Sequence, residues 1–351
     1  MSLAYEPTPF KRKAEPLPEL PGNLFSRLVT AKVLASLYHV RLSEIIDRVW
    51  PDDILLRAAS APAQTTVSGW AAELARKIIV DALSSMQTAS SGARLLGRGL
   101  VLNMSGYGQV SAPGFVVGAS NAGFVAENAP IPVRQLAVSP ATLLPYKLAT
   151  IAVLTREMIE SGNADRLITD ALVRSCGPAL DAALFDSNAA TSARPAGLRN
   201  GISTSTPSAS TDPFGACFED IATLVNAVST VAGAGPVALI CSPGRALMAR
   251  ARISSGIEQS FLPIMPSNAV GNDLIAVAPE ALVAAFSPDP EVESAESGTL
   301  HMDTAPVADP GSTGTHKSLF QTESIAIKVR WPVTWALRNV AGVAWLTPTW
   351  K

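Results

Sequence analysis

Apolar and polar positions follow two contrasting rhythms between residues 122 and 187. From Phe124 to about Val138, and again from Tyr146 to Leu154, the pattern is extended. The two runs flank a tip at Ser139-Pro140, with Pro145 near the start of the return arm, and predict a long β-hairpin. Pro130 and Pro132 fall in the first arm. A proline cannot donate to a ladder, so both belong on an edge strand. A two-stranded ribbon is marginal alone in water. One that projects from a domain needs a surface to lie on, and in an assembly that surface is a neighbouring copy. Further on, Leu167, Ile168, Ala171, Leu172, Cys176, Ala179, Leu180, Ala183 and Leu184 recur at spacings of three and four, so they share one helical face. Arg166, Asp170, Arg174 and Asp181 lie mostly off it. Asn163 is the expected N-cap, with Asp165 in the positive first turn. Gly177-Pro178 sits inside the stripe and is expected to kink or divide the helix. The stripe alone fits an ordinary core helix equally well.

Upstream, residues 1–22 are rich in proline and charge and predict irregular chain. Leu24, Phe25, Leu28, Val29, Val33, Leu34 and Leu37 mark an amphipathic helix over 24–38. A second helix is expected from Ser43 to Val49, stopped by Pro51. Residues 58–66 (AASAPAQTT) and 84–93 (SSMQTASSGA) read as small-residue linkers. Between them Ser68 is positioned to cap a helix carrying Trp70, Leu74, Ile78, Ile79 and Leu83. Residues 95–121 predict short strands and turns, and 188–216 a loop. From Phe218 helix and strand alternate. Helices are expected over Asp220–Val231, stopped by Gly233 and Gly235, and over Gly244–Arg252. Strands are expected at Val237–Ile240, Leu274–Val277, Leu282–Phe286 and Leu300–Met302, with an acidic loop over Ser287–Ser297. Residues 319–346 return to strand pattern, broken at Trp331-Pro332, with Trp335–Leu337 and Val340–Leu346 continuing it.

Several phrases stand in a telling order. Phe124-Val-Ala-Glu127-Asn-Ala-Pro130-Ile-Pro132-Val is followed by a return strand, a short helix, a long helix with a late acidic residue, a small-residue loop and Pro195-Ala-Gly197-Leu198. This order resembles the major capsid proteins of tailed bacteriophages, of the Hong Kong 97 type fold. The resemblance covers roughly residues 95–348 and rests on element order and short phrases rather than one diagnostic motif. It implies an α+β fold with an N-terminal arm, an extended β-hairpin loop, a peripheral domain built on a long spine helix, and an axial α/β domain. The implied segments are an N-terminal helical segment (1–66), a candidate scaffold or propeptide; the arm and lead-in strands (67–121); the hairpin loop (122–156); the peripheral domain with its spine helix (157–216); the axial domain (217–318), which includes Leu262-Pro-Ile-Met-Pro266; and return strands of the peripheral domain (319–351).

The resemblance further implies a phage or prophage head protein, assembled in the bacterial cytoplasm and resident in the virion capsid. Its first partner is itself, as pentamers and hexamers of an icosahedral shell around double-stranded DNA, bound without sequence specificity. Portal, phage protease and decoration proteins are the other partners of that family. An N-terminal segment often serves there as an internal scaffold open to removal by the protease. Both small-residue linkers are candidate cut points, because exposed flexible tips are where proteases act. Glu127, Arg134 and Lys147 are candidate intersubunit ion-pair residues on the hairpin that also carries Pro130 and Pro132. The competing reading is solvated surface charge of little energetic worth. An encapsulin-type nanocompartment, which shares the fold and encloses protein cargo, is the nearest alternative; the extra N-terminal section favours the phage reading. An α/β enzyme with an unrecognised site is the alternative of another class.

Composition narrows this little. The formal net charge of the 351 residues is −2, so no broad basic face for nucleic acid is suggested. A near-neutral wall suits a shell that surrounds DNA without gripping it. The three cysteines, Cys176, Cys217 and Cys241, have no CxxC spacing, and their odd number argues against a disulfide framework. Cys176 and Cys241 read as packing residues. No apolar run reaches the ~18 residues of a membrane span, and the N-terminus lacks the apolar core of a signal peptide.

Chemistry is equally sparse. His39, His301 and His316 are the only histidines, a thin supply of general bases. His301-Met-Asp303 offers two ligands on one side of a strand without an evident third. No HExxH, Walker A loop or GxSxG is present. Gly233-Ala-Gly235 follows a helix and precedes a strand, the reverse of a phosphate-binding turn. No catalytic, cofactor or metal site is therefore expected. Some shells of the resembled family are stitched by a lysine–asparagine isopeptide bond. Lys147 is the only lysine of the hairpin and Asn339 the nearest asparagine candidate, and neither sits in a matching phrase, so no such cross-link is expected.

Overall fold

The structure, a computed structural model, describes residues 24–60, 70–104, 108–114, 124–125, 141–160, 164–252, 261–301 and 316–350. Its helices are α1 (Leu24–Tyr38), α2 (Leu42–Val49), α3 (Ile54–Ser60), α4 (Trp70–Met86), α5 (Ser91–Leu96), α6 (Arg156–Glu160), α7 (Ala164–Leu184), α8 (Pro213–Ala232) and α9 (Pro243–Arg252). Its strands are β1 (Leu100–Asn103), β2 (Val110–Ala112), β3 (Ala141–Leu143), β4 (Tyr146–Thr155), β5 (Ala238–Cys241), β6 (Ile264–Pro266), β7 (Leu274–Val277), β8 (Leu282–Phe286), β9 (Glu291–Ala295), β10 (Thr299–His301), β11 (His316–Ser318), β12 (Ser324–Leu337) and β13 (Val343–Leu346). The fold is mixed α+β.

The chain divides into two compact units. The first draws on Met1–Ala61, Ile151–Ala171 and Glu293–Ile327. Its helices α1 to α3 bury Leu28, Val33, Ile46 and Leu56, and the Ser294 hydroxyl donates to the Ser36 hydroxyl at 2.9 Å. Residues far apart in sequence thus share this unit.

The second unit comprises Pro62–Thr150, Leu172–Val292 and Lys328–Lys351. Its four-stranded sheet runs β13-β7-β5-β6. β5 is parallel to β6 and antiparallel to β7. All residues of β5 and β7 are buried, which is why both read as unbroken apolar runs. Leu224 and Val228 of α8, with Ala246 and Ala249 of α9, complete that core. A five-stranded sheet runs β1-β8-β12-β4, with β9 also paired to β12. β1 is parallel to β8, from Leu100↔Val283 to Asn103↔Phe286. β12 is antiparallel to β8, from Val333↔Phe286 to Leu337↔Leu282.

Five sequence expectations are corrected. Helix α7 passes through Gly177-Pro178 unbroken. Pro178 costs one backbone hydrogen bond, yet Ile168, Leu172, Leu180 and Leu184 are buried on both sides of it. Gly177 meets Ala89 so closely that a Cβ would lie 3.1 Å from its carbonyl oxygen. Strand β12 likewise runs through Trp331-Pro332. Pro332 stands just beyond the end of the β8 ladder, and its carbonyl accepts from Ser287 N at 3.0 Å, so the missing N–H breaks no β8 pairing. The stretch 84–93 is the end of α4 and the start of α5 rather than an exposed linker, with Met86, Ser90 and Ala93 buried. The acidic stretch after β8 contains β9. Helix α8 also begins seven residues before Asp220, because Asp212 accepts from Phe214 N and Gly215 N and Pro213 takes the first helical position.

Candidate assembly surfaces

Of the hairpin residues singled out from sequence, Glu127, Pro130, Pro132 and Arg134 lie outside the described residues. Lys147 is exposed on β4. The return arm forms where expected, Tyr146–Thr155, and its exposure alternates over its first six residues. Leu148 and Thr150 are half-buried, while Lys147, Ala149 and Ile151 face solvent. Its hydrogen-bonded neighbour among the described residues is β12, so β4 is the edge of a sheet of its own chain. The short strand β3 ahead of it pairs with β2, Val110↔Leu143 to Ala112↔Ala141. Leu143 and Ala112 are buried there with Met104, Val283 and Ala285. The return arm is therefore anchored in its own chain.

Large apolar side chains stand in solvent on each unit. In the second unit Phe214 and Phe218 of α8 are 56% and 61% exposed. Four residues apart, they share one helical face. Leu247 of α9, Leu144 and Val340 are also exposed. In the first unit Ile54 and Phe320 are exposed.

Buried polar groups tie distant segments together. Asp181, on the buried face of α7, is 5% exposed. Its carboxyl accepts from Ser90 Oγ at 2.5 Å, Gly92 N at 2.8 Å, Ser91 N at 3.2 Å and Ser267 Oγ at 2.7 Å. Ser90 is also the N-cap of α5, its hydroxyl accepting from Ala93 N at 2.9 Å. One carboxyl thus closes the N-terminus of α5, where free N–H groups gather, and joins it to α7 and to the turn after β6. Periodicity placed Asp181 off the apolar stripe, and only the partner serines, far away in sequence, explain its burial.

The loop after α7 is organised by Asp186. Burial pushes the Asp186 carboxyl pKa up, but hydrogen bonds from Arg194 and from the side chain and backbone of Asn188, with the Arg194 charge, outweigh it and hold it below the usual carboxylate value. The Arg194 contact is 2.6 Å. Farther along, Arg199 bonds Asp273 and donates to the Phe185 carbonyl at 2.8 Å, with its guanidinium 5.1 Å from the centroid of the Trp345 ring. Four tryptophans near the C-terminus dock their indole N–H on loops and helix. Trp331 donates to Ser287 O at 2.7 Å, Trp335 to Ala196 O at 2.9 Å, Trp345 to Ile202 O at 2.9 Å, and Trp350 to the buried Asp220 carboxyl at 2.8 Å.

Titratable and thiol groups are dispersed. Cys217 and Cys241 are buried, Cys176 is half-buried, and none of the three is in a disulfide. Burial pushes the Cys176 thiol up to about 11 and Cys241 up to about 12. A shallow depression is lined by Arg98, Gly99, Leu100, Glu280 and Arg338, which offers charge but no nucleophile. Among the described residues no group of three or more His, Cys, Asp and Glu is placed to hold a metal, and no helix is long and apolar enough to cross a membrane. Asn339 caps a turn, its side chain accepting from Ala341 N at 3.0 Å.

No protein-family model matches the sequence, and no curated protein sequence matches it. Solved structures are similar in fold. A chain of Mycobacterium phage Adephagia matches with a TM-score of 0.46 and 18% identity, covering 74% of this chain and 90% of that one. A virus-like particle from Pyrococcus furiosus matches with a TM-score of 0.46 and 14% identity, covering 79% of this chain and 99% of that one. The satellite phage P4 procapsid, which includes its size determination protein, matches with a TM-score of 0.44 and 10% identity over 76% of this chain and 90% of that one.

Proposed function

We propose that this chain is the subunit of an icosahedral shell of the Hong Kong 97 type, the major capsid protein of a phage or prophage head enclosing double-stranded DNA. Its role is structural rather than catalytic, and its partners are further copies of itself in pentamers and hexamers. The reading is carried by the succession of elements along the chain. A return strand (β4), a short helix (α6) and the 21-residue α7 precede a separate four-stranded α/β layer, and the long β12 then comes back beside β8 and β4. This is the succession on which the resemblance in sequence rests. The exposed apolar side chains of α8, α9 and the stretch before β4 suit a subunit that reaches its final burial against other copies.

Electron microscopy of the expressed chain tests the proposal. Closed shells are expected from the parent. Replacing residues 126–140 by a short Gly-Ser linker spares β3 and β4 and is expected to give a folded subunit that forms no normal shell. A parent that stays a monodisperse monomer at high concentration overturns the shell reading. Normal shells from the linker variant overturn the role of the hairpin. Shells filled with protein cargo instead of nucleic acid replace the phage reading with the nanocompartment.

A further inference from the structure

Two of the three histidines meet. β10 and β11 are antiparallel, and the register Thr299↔Ser318, Leu300↔Lys317, His301↔His316 sets the two imidazoles directly opposite each other. Their ring centroids are 5.4 Å apart and the ring planes are inclined by 31°. Directly opposed side chains on an antiparallel pair have Cβ atoms only about 4.5–5.5 Å apart, so the juxtaposition is built by the ladder and does not depend on a long, flexible reach. His301 is half-buried and His316 is exposed at the rim, which leaves the pair open to solvent from one side.

We propose that His301 and His316 form a two-imidazole site for a divalent transition cation of the zinc, nickel or copper class, with water completing the coordination. Imidazole nitrogen is the ligand these ions share. Metal–nitrogen bonds of about 2.0–2.1 Å require one nitrogen of each ring to approach a common point. The broad side-chain torsion of a histidine ring allows that from the observed separation. Two donors on one rigid ladder bind as a chelate, because the second ligand is already at high effective concentration once the first is engaged. The thiols that would compete for such ions are held largely protonated by burial at Cys176 and Cys241. The cation would staple the two strands together and stabilise their pairing through its preference for the folded form. The sequence offered His301 beside Asp303 without an evident third ligand; the fold sets His316 opposite His301.

Calorimetric titration of the full chain with Zn2+ and with Ni2+ tests the site, alongside Cu2+ electron paramagnetic resonance. The expected result is one cation per chain, with nitrogen hyperfine structure from two imidazoles. His301→Ala and His316→Ala should each weaken binding by about tenfold or more, since either one removes the chelate. His39→Ala should bind as the parent does, because His39 lies exposed at the end of α1. The resonance spectrum counts nitrogens on the bound ion, so it reads the site even where a variant alters overall stability. A parent that binds no ion overturns the proposal. So does binding that survives either substitution in the pair, or binding that is lost with His39→Ala.

Discussion

Replacing Asp181 by alanine should destabilise the subunit by about 3–5 kcal/mol. The figure comes from what the carboxyl leaves behind. Four donors point at it: the hydroxyls of Ser90 and Ser267 and the backbone N–H groups of Ser91 and Gly92. The backbone donors have no freedom to turn away. A buried N–H left without an acceptor costs about 1–3 kcal/mol, and that of Gly92 is buried. The two serine hydroxyls can rotate, but each also accepts a backbone N–H, from Ala93 and from Ala269. Losing the carboxyl therefore costs roughly 1 kcal/mol for each of them. Ser91 N is partly exposed and adds less. Asp181→Asn keeps one acceptor oxygen but turns an NH2 group toward donors, so it should lose most of the same energy. Urea unfolding of the unassembled subunit measures the loss, and limited proteolysis reads its location. Residues 84–96 should resist cleavage in the parent and become cleavable in Asp181→Ala. A variant within about 1 kcal/mol of the parent would show that the carboxyl does no more than an exposed hydrogen-bonding group and would refute the reasoning.

Three further outcomes are expected. Gly197→Ala should disrupt the loop after α7, since its Cβ would sit 2.2 Å from the Asp186 carbonyl oxygen and 2.0 Å from its carboxyl; a loss above ~2 kcal/mol in the same urea assay is expected for forced overpacking against backbone, and an unchanged midpoint would count against the packing. Asp186 has a folded pKa below its ordinary 3.8, so its contribution is present in full above the unfolded value and disappears as pH falls through the folded one. The stability gap between parent and Asp186→Asn should therefore be flat from about pH 5 to 7 and close below pH 3.8; a gap that widens on acidification would reverse the sign. Boiled, reduced shells should run as single subunits on a denaturing gel, because Lys147 has no matching phrase around it and Asn339 is engaged as a cap; a ladder of covalent oligomers would contradict this.

Local chemistry was legible in the sequence to the extent that it was local. The apolar spacing from Leu24 to Leu37 gave α1 its observed ends, Leu24–Tyr38, and the unbroken apolar runs gave β7 and β8 residue for residue. The fully buried strands announce themselves because no position on them needs to be polar. What the spacing missed depends on partners far along the chain. Asp181 reads as a surface acid until Ser90 and Ser267 are set beside it. The 84–93 stretch reads as a linker because its serines are small and polar, yet two of them contact α7 or the β6 turn directly. Asp212-Pro213 was a legible N-cap signal that the surrounding small residues obscured. At Pro178 and Pro332 the local rule was sound but outweighed: one lost hydrogen bond is small against the burial of a helix face on either side, and a missing N–H costs little where a ladder has already ended.

The anchoring of β4 changes where the case for a neighbouring copy must rest. A ribbon with both arms free would place the demand for a partner on the whole stretch from 124 to 154. With β3 paired to β2 and β4 held against β12, the return arm already satisfies one edge of its backbone and half-buries one face within its own chain. The remaining demand falls on two things. One is the other edge of β4, beside which no strand lies among the described residues. The other is the sequence ahead of Ala141, in which Pro130 and Pro132 carry no backbone N–H to donate. Lys147 and Ile151 on β4 are then the residues of the return arm best placed to report on assembly. Ile151 is 54% exposed, a large apolar side chain four residues from a charged one on the same face, with Ala149 between them. That pairing resists unprogrammed edge-to-edge aggregation through the charge while still offering apolar area to a matched partner.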